Sequence, residues 1–310
     1  MRNRLRIGKS EIERVEMMRF VAMMVALTAL LPVSVAKDVF PTADFVSQHL
    51  NSIGSEQART SAKNLVAEGT VTFQTLNRGT QTFEGPATLV SEGNRLASWM
   101  TFPTAVTRTE GFVRDDKKVS IAGHPSHPTE FGNFIKVHDE ILTEGLWGGV
   151  LSTGWALLHM DKHRAKLQDR GVMKEDGVTL HRIDYIPKKH SDLEIHLYLE
   201  PDTFRHVMTV YLMTITAQMS DVCNDGGPRG SPPFCRPGNP RPINVATNNN
   251  YRLEEWFGDF KTIDNLTLPA RWIIRFSYGA GNTGAIDQYD ITEKKISHNM
   301  TLDPKNFDLK

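Results

Sequence analysis

ILTEGLWGGVLSTGWALLHM occupies residues 141–160 and differs from everything around it. It is apolar, rich in glycine, and carries Trp147 and Trp155, whereas its flanks alternate in the manner of half-buried β-strands. An apolar, helix-like segment inside a β chain has two places to go. It packs on a sheet face, or it covers a hollow.

Immediately upstream, Phe134, Val137 and Ile141, with Ile135 and Leu142 on the neighbouring row, recur at helical spacing and predict a helix over Asn133–Thr143. Gly145, Gly148 and Gly149 interrupt it before a second helix, Val150–Met160, so the insert spans 133–160. The strands on its N-terminal side are Leu65–Leu76, Thr80–Ser91, Arg95–Phe102, Thr107–Arg114 and Lys118–Ala122, separated by short turns. On its C-terminal side Ala165–Asp169, Val172–Lys174, Thr179–Pro187, Leu193–Leu199, Phe204–Thr216, Tyr251–Phe260, Leu268–Tyr278 and Ile286–Ser297 follow. One more helix is expected over Asp44–Ser61. Neighbouring strands joined by short turns predict an α+β chain built on one large antiparallel sheet of roughly eleven strands. Such a sheet curls into an incomplete β-barrel. Only the helices at 44–61 and 133–160 can cover its concave face.

The beginning of the chain reads as an address. Arg19 leads into FVAMMVALTALL (Phe20–Leu31), then Pro32 and Ser34-Val35-Ala36, the charge–apolar–small order of a secretory signal cleaved after Ala36. Met17 and Met18 are alternative starts to Met1. With 36 Lys/Arg balancing 36 Asp/Glu, no basic surplus points to nucleic acid. Both cysteines, Cys223 and Cys235, fall in a polar loop, and in an exported chain a disulfide closing the 219–249 loop is expected.

Several motifs on the C-terminal side occur as a series: the strand and turn LEIHLYLEPDTFRHVMTVY (193–211), Phe257-Gly258-Asp259-Phe260-Lys261, Asp264-Asn265-Leu266-Thr267-Leu268-Pro269, and the closing ITEKKISHNMTLDPKNFDL (291–309). Ala67–Thr72 reads AEGTVT after the first helix. The series resembles the outer-membrane lipoprotein-sorting family, the LolA/LolB-like fold. Asn265 stands where the family's hairpin has glycine, and Asn299, Leu302, Asp303 and Phe307 match its closing segment. The resemblance implies one domain over 37–310, an incomplete barrel plugged by helices. It also implies non-covalent carriage of lipidated protein or other acyl cargo in the periplasm, with an inner-membrane transporter or exporter as a candidate partner. The 219–249 loop and the insert depart from a minimal member.

On that footing the candidate lining of a hydrophobic ligand site is Trp147, Leu151, Trp155 and Leu158 from the insert, with Trp99, Phe102 and Phe112 from the first strands. Acyl chains need apolar walls, at about 0.8 kcal/mol for each buried CH₂. The same side chains are equally what a self-filled core would use, which would make the chain a structural or partner-binding envelope protein. Enzymatic signatures are missing from the sequence. Ser152 in GVLSTG lacks the nucleophile-elbow spacing, and there is neither a Walker loop nor a G-x-G-x-x-G. His159 and His163 are spaced for a shared metal, but the intervening Met160-Asp161-Lys162 lacks the metalloprotease glutamate. No cofactor and no metal are expected, and a hydrolase or metal enzyme is the least supported class.

Overall fold

The computed structural model describes residues 42–308 except 78, 80, 104–107, 124–127, 190, 219–245 and 280–283. All of these lie in the unit Val39–Lys310. The leader at 1–36 and both cysteines, with the expected disulfide, fall outside the described residues.

The chain enters through α1 (Thr42–Ile53) and α2 (Glu56–Ser61). The hydroxyl of Ser55 caps α2 by accepting from Ala58 N–H at 3.2 Å. Strands β1 (Asn64–Thr75), β2 (Thr82–Glu92), β3 (Arg95–Phe102), β4 (Arg108–Asp115) and β5 (Lys118–Ala122) form a meander. The insert follows, and then β6 (Lys166–Glu175), β7 (Val178–Ile186), β8 (Glu194–Leu199), β9 (His206–Gln218), β10 (Ala246–Gly258), β11 (Lys261–Ile263), β12 (Leu266–Leu268), β13 (Arg271–Tyr278) and β14 (Ala285–His298).

Twelve of the strands make one antiparallel sheet in the order β5-β4-β3-β2-β1-β14-β13-β10-β9-β8-β7-β6, and β11 and β12 pair separately. The architecture is therefore an open antiparallel sheet with few helices. Strand β14 joins the two meanders by pairing with β1 on one side and β13 on the other. Strands β5 and β6 are the two edges. The 43 residues between them, 123–165, must therefore run from one edge of the sheet to the other.

Register assigns the faces. Phe73 opposes Tyr289, which opposes Ile274, which opposes Glu255, which opposes Thr209. This row and its alternates Val71, Ile291, Trp272 and Phe257 face the inner, concave side. Most of them belong to the main hydrophobic cluster. The outer face carries smaller clusters, one of them Val90, Ala97, Val113 and Phe307 with Trp99 and Leu302 packed against it.

Three local expectations are corrected. The two strands expected at 165–174 are one strand, β6, with a bulge between Asp169 and Gly171 that absorbs the irregularity. The hairpin expected between 251 and 278 is interrupted by the separate β11–β12 pair. The helices of the insert are much shorter than expected. Helix α3 (Glu130–Val137) and α4 (Glu140–Thr143) are followed by 3₁₀ turns at Gly149–Leu151 and Ala156–His159, and by α5 (Met160–His163).

The glycine corner is the reason. Gly145 sits at φ +73°, and a Cβ there would lie 1.9 Å from Gly154 O. The two backbones abut, and Ala156 N–H donates to Gly145 O at 3.1 Å in place of the carbonyl four residues back, so the helix expected through 150–160 is interrupted there. Gly145→Ala is expected to cost about 1–3 kcal/mol, through left-handed strain plus the clash. A urea melt of this variant within error of wild type would show that the corner yields.

Candidate functional site

The insert crosses the concave face, and its large side chains point down onto the sheet. Trp147, Leu151 and Trp155 are at most 1% exposed. Trp147 packs edge-on against Trp272 of β13, with ring centroids 5.1 Å apart, and against Phe112 of β4 at 5.1 Å. Phe131 of α3 spans from Phe112 to Phe276 and Tyr289. The floor and the cover are thus aromatic on both sides. In this closed arrangement the protein's own side chains fill the concave face.

The predicted lining residues separate into three groups. Trp147, Leu151, Trp155, Phe102 and Phe112 all lie in the inner cluster, and Leu158 is half-buried at its margin. Its neighbour Leu157 is fully buried instead, because the 3₁₀ turn rotates the two residues relative to an α-helix. Trp99 is not with them. It lies on the outer face among Val90, Ala97 and Val113, opposite Gly111. His159 and His163 take separate partners, Thr153 O at 3.1 Å and the Glu144 carboxylate at 3.4 Å.

No described β-ladder joins the insert to the sheet. What holds it, besides apolar contact, is a set of single side-chain hydrogen bonds. Arg114 Nη1 donates to Leu142 O at 2.9 Å. Ser91 Oγ accepts from Thr153 N–H at 2.9 Å. Tyr185 donates to the Glu144 carboxylate at 2.7 Å.

Two further polar points lie deeper, and both are fully buried. The first is Glu255 on β10, between Leu253 and Phe257 on the inner face. Its Oε2 accepts from Gly148 N–H at 2.8 Å, and its Oε1 accepts from the Tyr211 hydroxyl at 2.8 Å. Burial pushes this carboxyl up to about 8, against the lowering effect of those two donors and of the nearby Trp272 indole. The indole N–H groups of Trp272 and Trp147 are both buried without a partner in bonding geometry.

The second is His49 on α1. Its Nδ1 donates to Phe204 O at 3.0 Å, and its Nε2 accepts from Trp155 Nε1 at 2.9 Å. A carbonyl only accepts and an indole N–H only donates, so these partners fix a single neutral tautomer. Burial lowers the His49 pKa to about 4. His206 stacks on Trp155 at 4.7 Å and is itself held well below the usual histidine range, first by burial and then by His49.

Sequence reasoning missed this polar pair of anchors. His206 and His181 pack inward, His181 against Phe45, while His196 faces outward and pairs with Asp184. Glu255 shares its strand face with Leu253 and Phe257, but LEEWF is not a clean alternation, so the sequence offers only a weak signal for it.

Among the described residues no group of three or more His, Cys, Asp or Glu side chains could hold a metal ion. No described helix is long and apolar enough to cross a membrane. No family model matches the chain, and no curated protein matches it. Solved structures do match. A putative outer membrane lipoprotein-sorting protein domain from Vibrio parahaemolyticus is similar at 10% identity and TM-score 0.42, over 86% of this chain and 95% of that one. A LolA superfamily protein from Nitrosomonas europaea is similar at 10% identity and TM-score 0.42, over 87% and 99%. MucB is similar at 12% identity and TM-score 0.25, over 81% and 93%. The first two carry the family name that the sequence motifs suggested.

Proposed function

We propose that the chain is an exported, non-catalytic binder or carrier of acyl cargo, working in the periplasm, with the insert as the movable cover of the concave face. The observation that carries this reading is the interface between insert and sheet. A permanent core has little reason to bury an ionisable carboxyl and two histidines and to leave the Trp147 indole N–H unpaired, since each such group costs stability. Groups of this kind cluster where a protein holds a ligand or changes shape. The cover is also made of short helices and 3₁₀ turns joined by glycines, so moving it breaks few backbone hydrogen bonds. Trp147, Leu151, Trp155, Phe102 and Phe112 would then line the vacated space, with Leu158 at its margin. Cargo of lipidated protein type would be handed over by an inner-membrane transporter or exporter.

The test is direct. Mature protein should take up a fluorescent fatty-acyl probe and co-purify with lipid, and Leu151→Asp should weaken probe uptake at least about tenfold, because a charge in an acyl-lined wall costs several kcal/mol. A second reading is favoured by the near-complete burial of Trp147, Leu151 and Trp155. In that reading the core stays filled and the chain acts as a partner-binding envelope module. No probe uptake together with a stable protein partner in envelope cross-linking would select it.

A further inference from the structure

Glu255 sits in the middle of the inner face beside the Trp272 indole, and its two oxygens take hydrogen bonds from different parts of the protein. Tyr211 is a residue of the sheet and stays with it. Gly148 belongs to the insert and leaves with it. When the cover moves, Oε1 keeps its hydroxyl partner and Oε2 loses its main-chain N–H. Oε2 is an acceptor whether the group is ionised or carries its proton on Oε1. A buried acceptor stripped of its donor is costly unless something replaces that donor.

We infer that Glu255 is a specificity-determining residue of the acyl site: the oxygen vacated by Gly148 N–H receives a hydrogen-bond donor carried beside the acyl chain of the ligand. Cargo headed by an amide N–H or a hydroxyl satisfies that oxygen as the peptide N–H of Gly148 does in the closed form. An ester of the same chain brings only acceptors and leaves it bare. The apolar walls select for the chain, and Glu255 reads the head. This rests on the carrier reading and specifies its ligand.

The experiment is a displacement of a fluorescent acyl probe from the mature protein by dodecanamide, dodecanol and methyl dodecanoate. Each is corrected for the ligand's own tendency to leave water. The amide and the alcohol are expected to displace the probe at concentrations about tenfold lower than the ester, the size of one satisfied buried hydrogen bond. In Glu255→Leu the preference should collapse while ester binding is kept or improved, since an apolar residue of similar volume replaces a buried acid. Glu255→Met serves if the leucine variant does not fold. Equal displacement by ester and amide in the wild type overturns the inference alone. So does a preference that survives in the variant. Failure of every ligand, with the probe itself not bound, overturns it together with the carrier reading.

Discussion

Trp155→Ala is expected to destabilise the protein by about 3–5 kcal/mol, the range for removing a large buried aromatic side chain. Three losses combine. The indole is fully buried, its N–H is the partner of His49 Nε2, and its ring stacks on His206 at 4.7 Å. Removing it leaves a void between α1, the insert and β9, and a buried imidazole without its donor. Trp155→Phe separates the contributions, because it keeps most of the packing and loses only the N–H, for an expected cost of about 1–3 kcal/mol. Equilibrium urea unfolding reads both. If the alanine variant stays within 1 kcal/mol of wild type, the indole does not pin the insert.

The second large effect is one of pH. Burial raises the Glu255 carboxyl in the folded protein to about 8 from its ordinary 4.5. Stability is therefore fully present below about 4.5 and is lost as pH rises through about 8, because the unfolded chain releases the proton earlier. Between pH 5 and pH 8 this amounts to about 3 kcal/mol. His49 acts in the opposite sense. Lowered from 6.5 to about 4, it contributes stability that is present above about 6.5 and lost as pH falls through about 4. Glu255→Gln removes one slope and keeps the other. Measured at pH 5 and pH 8, the stability gap between this variant and wild type should widen by about 3 kcal/mol in favour of the variant. A gap that does not change with pH would mean that Glu255 is ionised in the folded protein.

The sheet was legible from sequence because period-two alternation is a local property and the turns between strands are rich in glycine, asparagine and aspartate. Leu193–Leu199 shows this plainly. Applied strictly, the same rule takes Trp99 out of the lining. Trp99 and Phe102 are three residues apart on β3, an odd separation, so they cannot share a face. The insert was legible as a cover but not as a shape. Hydrophobicity located it, while the bond from Ala156 N–H to Gly145 O, which interrupts the helix, is a contact that no local pattern reports. The polar anchors failed for another reason. Whether Glu255 is buried beside Gly148 depends on where a distant segment lands, and a single glutamate among apolar neighbours reads as noise until that segment is placed.

The connection of the insert to both edges of the sheet has a mechanical consequence. A flap hinged at one end swings freely, but this segment is a chord fastened at both ends of an arc, running from β5 to β6. It cannot pivot clear of the hollow. It can only bow away from it, and the slack for bowing is stored in its glycine corner and tight turns. Flattening the arc draws the chord taut and presses it down, whereas bringing the two rims together slackens it. On the proposed carrier reading, cargo entry would be tied to the curvature of the whole sheet, and a partner gripping either rim would work the cover without touching it.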